Sequence, residues 1–166
     1  MRPFEFVSFA IFIFLVSCSP DPRVAQLVDQ NEIIRTVNRL FIETDNRNWS
    51  AVVSCFADSV IFDMTSLTRG QPVRLSPQQI VDGWEQGLKS LQAIHHQAGN
   101  YLVTAKDNQA DVFCYGIAIH YLPNPSNQNT RTFVGSYDVH LMKHGLDWKI
   151  DRFKFNLKFL EDNKNL

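Results

Sequence analysis

Ile94-His95-His96-Gln97-Ala98-Gly99-Asn100-Tyr101-Leu102-Val103 and its echo Cys114-Tyr115-Gly116-Ile117-Ala118-Ile119-His120-Tyr121 read as two strands. Alternate residues of a strand share a face, so His96 goes with Ala98, Asn100 and Leu102. His120 goes with Ala118, Gly116 and Cys114, opposite the bulky row Tyr115, Ile117, Ile119 and Tyr121. A histidine among small side chains has open space before it, which suits a pocket wall. The competing reading is a polar residue at a strand end, satisfied by nearby backbone. Further on, 131–143 and 147–158 continue as strands, with turns at Lys106-Asp107-Asn108-Gln109 and His144-Gly145. The C-terminal half, with strands over 94–104 and 110–122, is therefore a meander of long antiparallel strands. Large apolar residues occupy both of its faces. One face can pack on helices, and the other calls for a partner subunit, so a homo-oligomer through the sheet is expected.

Upstream, the pattern is helical. Asp29-x-x-Glu32 has the form of a helix-start box, followed by Ile33, Ile34, Val37, Leu40 and Phe41 at helical spacing. Four residues beyond Phe41, the same stripe reaches Asp45. A carboxylate there either faces the interior or caps the turn Asn46-Arg47-Asn48. A short helix over 49–57 follows, with Asn48 as its N-cap, then a strand over 59–64 and a polar connection over 65–75. Ser76-Pro77-Gln78-Gln79 is a stronger helix start, with Ile80, Trp84, Leu88 and Leu91 behind it. Helices grouped ahead of an antiparallel sheet make an α+β domain.

At the N-terminus, Phe6 to Val16 is apolar apart from Ser8, too short to span a bilayer but long enough for a signal-peptide core. Leu15-Val16-Ser17-Cys18 resembles a bacterial lipobox, which implies cleavage before Cys18 and lipid on its thiol. The expected organisation is a signal peptide over 1–17, a lipidated tether over 18–27 and one domain over 28–160. By the same resemblance, Ser19 after the cysteine points to the outer membrane, facing the periplasm. Cys55 and Cys114 remain in the mature chain, either as buried apolar side chains or as a bridge. The net charge is −1 with mixed signs and no basic patch, so no nucleic-acid partner is expected.

Short helices ahead of a long meander resemble the nuclear transport factor 2-like cone. Within it, the sequence is similar to the SnoaL-like group and most of all to scytalone dehydratase. Asp45-Asn46-Arg47-Asn48-Trp49, His96-Gln97-Ala98-Gly99-Asn100, His120, Gly135-x-Tyr137 and Asp147-Trp148-Lys149-Ile150 carry the resemblance. It implies that Asp45, His96 and His120 surround a water and do the acid–base work of a dehydration, with no cofactor and no metal. The tyrosines that hold the substrate carbonyl in the dehydratase fall here on Thr44 and Met64. Asn100 and Tyr137 are the candidate replacements. The expected ligand is a small apolar carbonyl compound, handled by a lyase or isomerase. The alternative is a lipoprotein that only binds a small molecule or an envelope partner.

Overall fold

In the computed structural model, which describes residues 21–161, a long helix α1 (Pro22–Asp45) is followed by α2 (Trp49–Cys55), strand β1 (Phe56–Asp63), the single turn α3 (Thr65–Thr68) and strand β2 (Val73–Leu75). Helix α4 (Pro77–Leu88) precedes the four long strands β3 (Ala93–Lys106), β4 (Gln109–Tyr121), β5 (Thr130–His144) and β6 (Asp147–Glu161). One six-stranded sheet runs β2-β1-β6-β5-β4-β3, antiparallel except where β1 joins β6 in parallel. The α+β architecture is the one the sequence pattern predicts. The predicted start of the first helix is not where it lies.

Helix α1 begins at Pro22, well before Asp29. Asp21 serves as N-cap, accepting from the Arg23 amide at 2.8 Å, and proline at the first position loses no hydrogen bond. Residues 22–27, expected in the tether, are therefore helical. Asp29 accepts instead from Lys143 Nζ at 2.6 Å and Trp148 Nε1 at 3.2 Å, tying the helix to the β5–β6 turn. The second helix ends at Cys55 rather than 57, because Phe56 already has extended backbone and pairs with Ile150. The expected polar connection over 65–75 contains α3 and β2. Helix α4 starts as predicted, with both arms of the Ser76/Gln79 capping box formed.

Ile33, Val37, Leu40, Phe41 and Thr44 form the buried face of α1, which lies on β3, β6 and α2. Val112, Val139, Leu141, Ile150 and Phe153 supply the facing side of the sheet. Cys55 and Cys114 are free thiols buried in this core. The opposite sheet face leaves Leu102, Tyr115, Ile117 and Phe159 exposed. Among the described residues no helix is long and apolar enough to cross a membrane. Cys18 and the signal segment lie outside the described residues.

Candidate functional site

Asp45 is the last residue of α1, and the Val37–Phe41–Asp45 spacing carries it to the sheet side. There it meets β3, the edge strand whose outer backbone groups have no neighbouring strand. Both carboxylate oxygens are used. Oδ2 accepts the His96 backbone N–H at 2.8 Å, and Oδ1 lies 2.6 Å from His96 Nδ1. A carboxylate only accepts, so Nδ1 carries the hydrogen, and in the neutral ring the lone pair is on Nε2. The imidazole stacks on Phe41, with centroids 5.5 Å apart, which fixes its second degree of freedom. Both partners are largely buried, at 14% and 16% side-chain exposure. His95, on the other strand face, stands 3.8 Å from Oδ2 and is exposed.

His120 pairs with Ile94 in the β3–β4 register, and His96 pairs with Ala118, so the two histidines are diagonal neighbours on one face. Burial, reinforced by His96 and Arg131, pushes the His120 pKa down to about 4, with Asp45 opposing. Its ring lies 5.0 Å from that of Phe133. Among the described residues no hydrogen bond reaches either His120 nitrogen or His96 Nε2.

Both histidines open on a cavity of about 170 Å³, walled chiefly by Phe41, Met64, Trp84, Leu88, Phe133, Tyr137, Phe153 and Phe155. An apolar cavity of about 150 Å³ accommodates a benzene-sized ring, so this one suits a ligand of that scale. Thr44 lines it too, but its hydroxyl donates to the Leu40 carbonyl at 2.7 Å. Thr44 and Met64 thus stand in the cavity wall and offer no donor to a ligand.

Of the two candidate replacements, only Tyr137 is in the wall. Asn100 is exposed, with φ 56°, at a bulge where the β3–β4 register shifts between Gly99 and Leu102. Asparagine tolerates this left-handed backbone, and the extra residue reverses the strand's facing. Tyr101, Val103 and Ala105 turn inward instead, and Leu102 is 69% exposed. Strict alternation fails beyond Gly99, and Asn100 is not a ligand-facing residue. The aromatic wall and the facing glycines Gly116 and Gly135 escaped the sequence reading as site features. Gly135-x-Tyr137 was their visible trace. A second pair, His140 Nδ1 to Asp151 Oδ1 at 2.5 Å, sits on the outer sheet face away from this cavity. Among the described residues no group of three or more His, Cys, Asp or Glu side chains is arranged to hold a metal ion.

The SnoaL-like domain family matches residues 25–154. No curated protein matches the chain. Among solved structures, the Kfla4162 protein from Kribbella flavida superposes with a TM-score of 0.79 at 20% identity, over 82% of this chain and 95% of that one. A provisionally assigned scytalone dehydratase from Novosphingobium aromaticivorans gives 0.74 at 15% identity, over 84% and 91%. A type 2 hexachlorocyclohexane dehydrochlorinase gives 0.72 at 11% identity, over 87% and 95%. At these identities the likeness is one of fold.

Proposed function

The chain belongs to the SnoaL-like domain family, and from that premise we propose that it is a cofactor-independent lyase or isomerase acting on a small apolar carbonyl compound. The observation that carries the proposal is the Asp45–His96 pair at the wall of an apolar cavity, where the carboxylate holds His96 Nδ1 and leaves Nε2 as the ring's other nitrogen. His96 Nε2 takes a proton from the carbon next to the carbonyl, and Asp45 stabilises the imidazolium that forms. The carbon–oxygen bond of a leaving hydroxyl then breaks, and the proton held by His96 goes to that oxygen as water departs. His120 is read here as a hydrogen-bonding partner of that oxygen or water. With a pKa near 4 it is neutral at pH 7 and has no spare proton to give. In this reading His120 positions that oxygen or water, and His96 returns the proton.

A test substrate is 3-hydroxycyclohexanone, whose elimination to cyclohexenone is followed by the enone absorbance. Asp45→Asn retains one acceptor oxygen, but its amide nitrogen donates to the ring. His96 then adopts the other tautomer, with Nε2 protonated and useless as a base. Turnover should fall by about 10²–10⁴-fold, the usual worth of acid–base catalysis, with cyclohexenone affinity changed by less than threefold. Absence of turnover in the unaltered protein, with binding retained, favours the second reading: a pocket that binds without chemistry. The specific observation behind that reading is the loss of ligand-facing donors at Thr44 and Met64.

The proposal extends to location and assembly. Lipid on Cys18 holds the domain to the bacterial envelope, and intact mass of the membrane-extracted protein tests it. An unmodified chain starting at Cys18 removes the claim. The exposed Leu102, Tyr115, Ile117 and Phe159 form the surface through which copies associate. Tyr115→Glu/Ile117→Glu should yield monomers by sedimentation.

A further inference from the structure

Tyr137 is 5% exposed, and among the described residues its hydroxyl has no hydrogen bond. Buried polar groups are nearly always satisfied, so this hydroxyl is completed by whatever occupies the cavity it lines. Its position is built by the sheet. Gly116 pairs with Gly135 on the neighbouring strand, and Cys114 pairs with Tyr137. A Cβ at Gly116 would fall 2.1 Å from Tyr137 Cε2, and one at Gly135 would fall 2.7 Å from the Phe155 ring. The phenol ring therefore leans from its own row across the glycine pair, toward the row of Ala118 and Phe133 where the cavity opens. Phe41 at 4.7 Å, Phe155 at 5.0 Å and Phe153 at 5.5 Å hold it there.

The other polar groups of the wall are differently disposed. The Thr44 hydroxyl is bonded to helix backbone and His96 Nδ1 to Asp45, and His120, the other unbonded group of the wall, is assigned above to the leaving oxygen or water. The Trp84 indole is only half-buried, within reach of solvent. Burial, helped by Cys114 and Asp45, raises the Tyr137 pKa well above that of a free phenol, so the hydroxyl keeps its hydrogen. Toward a carbonyl oxygen it acts only as a donor, and the bond strengthens as charge moves onto that oxygen.

We infer that Tyr137 is the group that grips and polarises the substrate's carbonyl oxygen, and that the substrate is a one-ring ketone entering oxygen first. This rests on the acid–base reading of Asp45 and His96 for its catalytic meaning, but the binding geometry stands without it. The donor comes from the sheet floor rather than from the end of α1 and the residue after β1, where Thr44 and Met64 stand. The ring limit follows from the cavity of about 170 Å³, which has room for one six-membered ring and its substituent.

The experiment reads the carbonyl stretch of bound 2-cyclohexenone by infrared difference spectroscopy, alongside its dissociation constant. In the unaltered protein the stretch should shift to lower wavenumber than in water. Tyr137→Phe should remove that shift and weaken binding about three- to tenfold, the loss of one hydrogen bond. Gly116→Ala, which pushes the ring aside, should reduce the shift while Tyr137 is still present. The fused two-ring 1-tetralone should bind at least about tenfold more weakly than 2-cyclohexenone, as overfilling an apolar site of this size does. An unchanged shift in Tyr137→Phe, tetralone binding as well as cyclohexenone, or no cyclohexenone binding at millimolar concentration overturns the inference. Asp45→Asn separates the two ideas, because it should leave the Tyr137-dependent carbonyl shift in place while lowering turnover by about 10²–10⁴-fold. A shift lost in Tyr137→Phe with no turnover in any protein sinks the acid–base reading and leaves the donor in place.

Discussion

Acid should destabilise this fold through His120. Its pKa is about 4 in the folded chain, against 6.5 as a free side chain, because burial disfavours imidazolium. Above pH 6.5 both states hold it neutral and the fold has its full stability. As pH falls below 6.5 the unfolded chain takes a proton that the folded chain refuses, so stability drops, and the drop levels off below about pH 4. The gap between 6.5 and 4, at about 1.36 kcal/mol per pH unit, sets a ceiling of roughly 3 kcal/mol. Water at the cavity mouth screens part of this, and about 2 kcal/mol is expected by pH 4.5. Urea unfolding of the unaltered protein and of His120→Asn at pH 7 and pH 4.5 measures it. The variant should be less acid-sensitive by that amount, while Asp29 and Asp63, whose pKa values are lowered by their hydrogen bonds, act equally in both proteins. A stability difference between the two proteins that stays constant within about 0.5 kcal/mol across the two pH values would refute a buried, neutral His120.

Phe41→Ala should cost about 3–5 kcal/mol in urea unfolding, since it empties a site touching His96, Tyr137 and Phe153. A cost below about 1 kcal/mol would mean that α1 is not docked on the sheet. Ser76→Ala removes one arm of the capping box and should cost about 1 kcal/mol, with Ser76→Asn recovering most of it. In a Cys18→Ser protein, Cys55 and Cys114 should stay unlabelled by a thiol reagent at pH 8 until denaturant is added. Burial pushes their pKa values up to about 11 and about 12, so little thiolate forms. Rapid labelling of either in the native protein would place it outside the core.

Elements whose signals are local were readable from the chain. Ser76-Pro77-x-Gln79 contains every atom of its own cap, so the start of α4 follows from four consecutive residues. Asp29-x-x-Glu32 looks equally local and is not. Its aspartate is claimed by Lys143 and Trp148, residues brought near only by the folded β5–β6 hairpin. The helix meanwhile starts at the plainer Asp21-Pro22 pair. In β3 the two-residue period gave the facing of His96 and Ala98, then misplaced Asn100. The signal for the bulge was Gly99-Asn100 itself, two residues that tolerate backbone a strand interior rarely adopts.

The candidate site divides along the same line. Asp45 stood out because a helical stripe of apolar residues ran into a carboxylate, and His96 and His120 because small residues flanked them on their strands. Periodicity gives a direction for each side chain but no distances. Two facts that make Asp45 and His96 a unit are therefore absent from the sequence. β3 is the sheet edge, so its His96 N–H is free to meet a carboxylate, and the end of α1 lies beside that edge. The first follows from strand order and the second from helix length, both set by the whole fold. Tyr137 shows the limit from the other side. Its direction depends on side chains missing from two neighbouring strands, and nothing at position 137 itself announces a ring leaning over Gly116. The space those glycines leave is what turns an interior tyrosine into a wall of the cavity.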